Sequence, residues 1–372
     1  MKVTVNRDVL SRGLNWVQNI VEKRSTMPVL SHALFRACKG NLEIAATNLQ
    51  LVIEGYLEAA IQEEGGISLN AKRMHDIVRA LPPGEISITT DEKNRTEIKG
   101  EKGTFHIMGL NESEYPPLPD YKEVPFVEMK AEIIRAMVEK TIFAASIEET
   151  RYNLEGIKVE VVDDGKSLRM IATDGHRLCQ VEKEVENASK LDLSGGLILP
   201  RRGMNELRKV LTEGEGIEQI GFGVTGNDVI FKAGDVVLVM RTLEGDYPDY
   251  SRVIPKDNDK KVTAGREELL ESLIRVSIIS EEKTKGIHLS TWPGKIKIES
   301  QNPEVGDAFE ELVVETDIEK LDIGYNARYI IDVLSAMDGE KVDIFLKDEL
   351  SSAVFKPAEG EKYLCVVMPM RL

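Results

Sequence analysis

The chain repeats itself three times, and this constrains its fold more than any other feature. Three stretches open alike, each coupling a short apolar strand to an amphipathic helix: VTVNRDVLSRGLNWVQNIV from Val3, VEMKAEIIRAMVEKTIFAAS from Val127 and VTAGREELLESLIRVSIIS from Val262. Apolar residues recur at helical spacing in each: Val9, Leu10, Leu14 and Val17; Ile133, Ile134, Met137 and Val138; Leu269, Leu270, Leu273 and Ile274. A second helix follows in every third, in LNAKRMHDIVRALPPG from Leu69, LPRRGMNELRKVLTEG from Leu199 and YNARYIIDVLSAMDGE from Tyr325, each closed by glycine or Pro-Gly. The thirds end on Met108, Met240 and Met368, spaced by 132 and 128 residues, so the repeat has the size of a domain. Between them, Leu110–Tyr121 and Leu243–Tyr250 are rich in Pro, Asp and Tyr and read as linkers.

Each third therefore predicts two βαβββ half-units, with helices on one face and sheets on the other. The fold class is α+β, with domains at 1–122, 123–253 and 254–372. Three such domains form an arc with two open ends, whose edge strands would be sticky. A head-to-tail contact between two copies would close the arcs into a ring.

Composition narrows the function. No apolar run approaches ~18 residues, so no membrane span is expected. The N-terminus MKVTVNRDVL lacks the apolar core of a secretory signal. Three scattered cysteines, Cys38, Cys179 and Cys365, suit reduced thiols in the cytoplasm, not a disulfide scaffold or zinc finger. The net charge of −16 opposes nucleic-acid binding when averaged over the chain. Helices predicted at 7–24, 71–81, 130–140, 200–210, 266–276 and 326–337 nevertheless carry a net +7 over 74 residues, leaving −23 on the other 298. If they gather on one surface, that surface attracts phosphates while the rest repels them. The same charges also suit plain solvated helix faces.

No phosphate loop, dinucleotide fingerprint, zinc-protease or serine-hydrolase motif occurs. No two of the five histidines lie close enough to suggest a local metal site, and no cofactor is expected. The best catalytic candidate is Ala172-Thr-Asp-Gly-His-Arg177. Its Asp-Gly pair between two strand-like runs reads more simply as a hairpin turn with a binding role. Two readings stay open at this point: an enzyme built on Asp174 and His176, and a repeat scaffold or binding protein without catalysis.

The chain resembles the bacterial DNA sliding clamp, the β subunit of DNA polymerase III, over essentially its full length. The resemblance is carried by Met27-Pro-Val-Leu30, Arg151-Tyr-Asn-Leu154, Ala172-Thr-Asp-Gly-His-Arg-Leu178, Tyr247-Pro-Asp-Tyr250, Arg252-Val-Ile-Pro255 and the terminal Val366-Val-Met-Pro-Met-Arg-Leu372. It implies a non-catalytic, head-to-tail homodimeric ring on double-stranded DNA. A clamp loader would load the ring, and the ring would tether the replicative polymerase and other proteins bearing clamp-binding motifs. Implied backbone contacts to DNA are Arg24, Lys72, Arg73, Arg79, Arg201 and Arg202, with Tyr152 near one rim. An implied peptide groove takes Leu154, Thr173, Gly175, His176, Arg177, Leu178, Pro248, Arg252 and Val253, completed by Ser352, Val366, Met368, Pro369, Met370 and Arg371. The implied dimer contact sets Phe105 and Ile107 against Ile278 and Ile279, with Glu304 opposite Lys102. Asn153 departs from the family, which often has a second aromatic after Tyr152.

Overall fold

The computed structural model describes all residues except 23–26, 39, 192, 194, 215, 361 and 372, and the backbone alone of Glu149. The first third runs β1 (Lys2–Asn6), α1 (Arg7–Gln18), β2 (His32–Cys38), β3 (Asn41–Thr47), β4 (Leu51–Glu58), β5 (Ala60–Glu63), β6 (Gly65–Asn70), α2 (Ala71–Ala80), β7 (Glu85–Thr90), β8 (Arg95–Lys99), β9 (Thr104–Met108) and β10 (Leu110–Asn111). The middle third runs β11 (Phe126–Lys130), α3 (Ala131–Glu139), β12 (Gly156–Val162), β13 (Ser167–Thr173), β14 (Arg177–Glu184), β15 (Leu197–Pro200), α4 (Arg201–Glu213), β16 (Gln219–Thr225), β17 (Asp228–Ala233) and β18 (Val236–Arg241). The last runs β19 (Lys260–Gly265), α5 (Arg266–Ser277), β20 (Gly286–Trp292), β21 (Lys295–Asn302), β22 (Gly306–Val313), β23 (Leu321–Asn326), α6 (Ala327–Ala336), β24 (Lys341–Leu346), β25 (Ala353–Pro357) and β26 (Tyr363–Val367). Six βαβββ repeats are present in chain order, with β5 and β10 added in the first third.

The sheets do not follow that order. The first strand of every half-unit leaves its own three strands and pairs with those of the other half, giving quartets such as β11-β16-β17-β18 and β15-β12-β13-β14. Quartets then join across the sequence repeats. One compact unit, Met1–Arg135 with Arg202–Thr242, holds a five-stranded sheet β5-β1-β7-β8-β9 and a nine-stranded sheet β10-β6-β2-β3-β4-β18-β17-β16-β11. The other, Ala136–Arg201 with Leu243–Leu372, holds an eight-stranded sheet β15-β12-β13-β14-β26-β25-β24-β19 and a four-stranded sheet β22-β21-β20-β23. The compact units thus divide the middle third between them, and local periodicity carries no signal for such long-range pairing.

The helices start where sequence chemistry allows. Asn6, Asn70 and Asn326 cap α1, α2 and α6, each side-chain oxygen accepting an N–H of the first turn. Leu10, Gly13, Leu14 and Val17 form the buried stripe of α1. That helix seats closely on β4: a Cβ on Gly13 would lie 2.7 Å from Leu57, and one on Gly55 would lie 2.6 Å from Trp16. It ends at Gln18, not at residue 24, because Ile20 turns fully into the core. Ile20 and Val21 prolong the apolar period past the true end, which is why spacing overshoots. With the observed boundaries the six helices carry +3 over 66 residues, not +7, since Lys130 and Lys140 fall outside them and Lys23 and Arg24 lie outside the described residues. The positive charge concentrates on α2 and α4, while α5 and α6 together carry −1.

The three terminal methionines do not share a face. Met240 is fully buried over Gly203, whereas Met108 is 65% and Met368 36% exposed. Strand side chains alternate, so a one-residue offset reverses which way a residue points.

Candidate functional site

In the second compact unit the strand order sets four apolar side chains on one face: Ile171 of β13, Leu178 of β14, Val366 of β26 and Val354 of β25. Leu178 pairs with Val366, and Val366 with Val354, so register alone aligns them. Tyr247 and Tyr250, from the segment that reads as a linker, and Val253 and Ile254 just after it pack over this floor with Phe345 and Leu364. Tyr247 donates its hydroxyl to the Ile171 carbonyl (3.3 Å), and burial raises its pKa. Leu178 and Val366 are therefore completely covered and form the floor, while Pro248 and Arg252 remain exposed and Leu154, Val253 and Ser352 are half-buried.

Two main-chain bonds hold the segment after β26. Met368 N–H donates to the His176 carbonyl and Met370 N–H to the Gly324 carbonyl, both at 2.9 Å. The segment is thus tethered, not a frayed terminus. Met368, Pro369 and Met370 stay partly accessible beside it. Their flexible side chains suit a surface that adapts to more than one peptide. Arg371 instead lines a separate cavity of about 1020 Å³ with Glu281, Lys283, His288 and Glu304.

The Ala172–Leu178 motif forms the turn between β13 and β14. Asp174 Oδ1 accepts the N–H groups of His176 and Arg177, and Gly175 adopts φ +87°, a conformation glycine enters without strain. Arg177 is buried. It bonds Asp174 (3.1 Å), Asp332 (2.6 Å) and the Phe143 carbonyl (2.6 Å) and stacks on Tyr329. Burial opposes its charge, but the hydrogen bond to Asp332 and the two carboxylates outweigh that and raise its pKa. Arg177 and the 8%-exposed Thr173, whose hydroxyl donates to the Arg177 carbonyl, therefore brace the turn beneath the groove. His176 is exposed, stacked on Tyr329 at 6.2 Å, and close to Met368. Asp174 thus spends both carboxylate oxygens on the turn and on Arg177. Tyr247, Ile171, Val354 and Tyr329 escaped sequence reasoning. The one usable signal was the aromatic in Tyr247-Pro-Asp-Tyr250, which had been assigned to a linker.

Lys72, Arg73 and Arg79 project from α2 into solvent. Arg202 is exposed but donates to the Asn19 and Ile20 carbonyls (2.9 Å each), and Arg201 is half-buried, its Nε without an acceptor. Tyr152 is 47% exposed, and Asn153 donates to the Asp246 carbonyl, pinning the linker where an aromatic would stack. Arg24 lies outside the described residues.

Two sheets end on unpaired last strands. Phe105 and Ile107 of β9 stand opposite buried Ile98 and Thr96 on the core side, yet Phe105 is 37% exposed because nothing follows β9. Beside the edge strand β22, Ile278 is 74% exposed and Ile279 half-buried; Phe309 and Val313 are further exposed apolar residues, and Ile274, which its spacing places in the apolar stripe of the helix, is 47% exposed. Lys102 and Glu304 are both exposed.

A chain of six βαβββ half-units, with positive charge on α2 and α4, last strands β9 and β22 at sheet edges, and an apolar cluster beside partly accessible Met368 and Met370, has the features of a polymerase processivity clamp. The DNA polymerase III beta subunit N-terminal, central and C-terminal domain families match residues 1–119, 128–249 and 251–371. The chain is 33% identical to a beta sliding clamp of Pseudomonas putida and 35% identical to one of Caulobacter vibrioides, each over the whole of both chains. A DnaN sliding clamp from Bartonella birtlesii bound to griselimycin superposes with a TM-score of 0.93 at 33% identity, again covering both chains fully. The chain belongs to the beta sliding clamp family, the processivity factors of DNA polymerase III. No helix among the described residues is long and apolar enough to cross a membrane.

Proposed function

We propose that two copies of this chain close head to tail into a ring around duplex DNA, with β9 of one copy pairing with β22 of the other. The supporting observation is a joining rule. Wherever two quartets meet, they meet through their last strands: β18 with β4, and β26 with β14. The two quartets left over end on β9 and β22. The same rule applied between copies pairs these two remaining last strands with each other. Phe105 and Ile107 then meet Ile278 and Ile279, and Lys102 faces Glu304. The domains of this reading are 1–122, 123–253 and 254–372.

In that ring Lys72, Arg73, Arg79, Arg201, Arg202 and Arg24 contact phosphates without reading bases, with Tyr152 at the rim, so retention is salt-sensitive and sequence-indifferent. The groove around Leu178, Met368 and Met370 takes short linear motifs of the polymerase, the clamp loader and other partners. The protein works in the cytoplasm and catalyses no reaction of its own. Light scattering over a dilution series should give twice the 41.5 kDa chain mass. Phe105→Asp should give monomers. The wild-type protein should stay on circular DNA and leave it once the circle is cut. A wild-type monomer at every concentration, or equal loss from intact and cut circles, would overturn the proposal.

A further inference from the structure

We propose that Cys179 and Cys365 are a modification site: a dithiol that a peroxide converts into a cross-strand disulfide, stapling the C-terminal strand β26 to β14 behind the groove. The two residues are direct partners in the antiparallel ladder and both are fully buried. Their position in the ladder favours a bond. Main-chain hydrogen bonds join Met368 to His176 and Glu182 to Lys362 on these strands. Each of those pairs lies three residues from Cys179↔Cys365, and bonded and non-bonded pairs alternate. Cys179 and Cys365 therefore occupy a non-bonded pair, where Cα atoms approach to about 4.5 Å and side chains are closest. That lies within the about 4.4–6.8 Å span that a disulfide bridges without moving the backbone.

The neighbours Leu178 and Val366 point into the groove floor, so alternation turns the two sulfurs to the opposite face. A disulfide there leaves the peptide surface its shape and restrains only the opening of β26, the strand that leads to Met368 and Met370. Burial pushes the Cys179 thiol up, with the nearby Arg177 guanidinium working against it. The reaction needs a thiolate and access to the oxidant, so it passes through transient opening of β26. One thiolate attacks the O–O bond of the peroxide, giving a sulfenic acid and hydroxide. The second thiol attacks that sulfur, forming the S–S bond and releasing water. Two thiols and one peroxide thus yield one disulfide and two waters.

The test treats the full-length protein with hydrogen peroxide, blocks remaining thiols after unfolding, and maps peptides by mass spectrometry. The expected product is a Cys179–Cys365 linked peptide lighter by two hydrogens and reversed by dithiothreitol. Cys38 serves as the internal measure of oxidant dose. Amide exchange in β26 should slow by about tenfold or more in the oxidised protein, with peptide binding unchanged. Recovery of both residues as alkylated thiols at a dose that oxidises Cys38 would overturn the proposal. So would their appearance as separate sulfinic acids, or as links between chains. Cys179→Ala should abolish the linked peptide; if that variant does not fold, the wild-type mapping still decides.

Discussion

Two sheet junctions in this molecule are built alike and end differently. Where β4 meets β18, Val52, Ile230, Val237 and Val239 form an apolar floor covered by Leu118 and Tyr121 of the first linker with Val124 and Phe126 after it. Where β14 meets β26, Leu178, Ile171, Val354 and Val366 form the counterpart, covered by Tyr247 and Tyr250 of the second linker with Val253 and Ile254 after it. In both, a linker tyrosine reaches a sheet glutamate, Tyr121 to Glu54 and Tyr250 to Glu160. The difference lies beyond the last strand. After β18 the chain runs on at once, Leu243 N–H bonding the Ile198 carbonyl, and Met240 is locked in the core. After β26 the Met368 and Met370 N–H groups bond the His176 and Gly324 carbonyls, and Met368, Pro369 and Met370 stay partly accessible. The two junctions thus share an apolar floor and an aromatic cover and differ in the repeat-related methionine, buried at Met240 and partly exposed at Met368.

Removing residues 368–372 should produce the largest effect. Affinity for a clamp-binding peptide, read by fluorescence polarisation, should fall by at least about 100-fold while the folded mass in solution persists. Near wild-type affinity in the truncated chain would remove the groove assignment. Met240→Ala, at the repeat-related methionine, should do the reverse. Peptide affinity stays, and stability by urea denaturation falls by about 2–5 kcal/mol as a cavity opens over Gly203. Lost peptide binding in that variant, with the fold intact, would mean the seam and the groove are not separate devices.

The smallest effect concerns the glutamates behind the two seams. At Glu160 burial opposes ionisation, but the Tyr250 hydroxyl, Lys158 and Arg169 outweigh it and hold the carboxyl below its usual range. Its contribution is present above the unfolded carboxyl's pKa and is lost as pH falls through the lower folded value. At Glu43 burial, helped by Glu54 and Glu112, outweighs Arg36 and raises the pKa. That group adds stability as pH falls from its raised folded value toward the unfolded one. Urea midpoints across acidic pH should therefore show opposite changes. Glu160→Gln should flatten the decline below about pH 4.3, and Glu43→Gln should remove a gain just above it. Identical pH profiles for the two variants would show that the seams do not differ electrostatically.

Much of this was legible beforehand. The threefold repeat, the six helices and the hairpin at Asp174-Gly175 follow from local spacing, because helix period, capping asparagines and turn glycines act over a few residues. The turn motif also marked the exposed His176 beside Met368. The apolar cluster next to it was harder to see: Ile171 and Val354 are ordinary strand residues until pairing sets them beside Leu178 and Val366. Arg177 read as a surface contact and is a buried brace, since only its tertiary neighbours Asp332 and Phe143 reveal the pocket it fills.

The sequence by itself determined the repeat, the half-units and the chemistry available at each end, since these rest on patterns within one element or one turn. Tertiary structure decided which strands join, that the first strand of each half-unit changes sheets, and that Met240 points inward while Met108 and Met368 do not. Those outcomes depend on register between strands up to nearly two hundred residues apart, as Cys179 and Cys365 are. A shift of one residue there turns a core side chain into a binding surface.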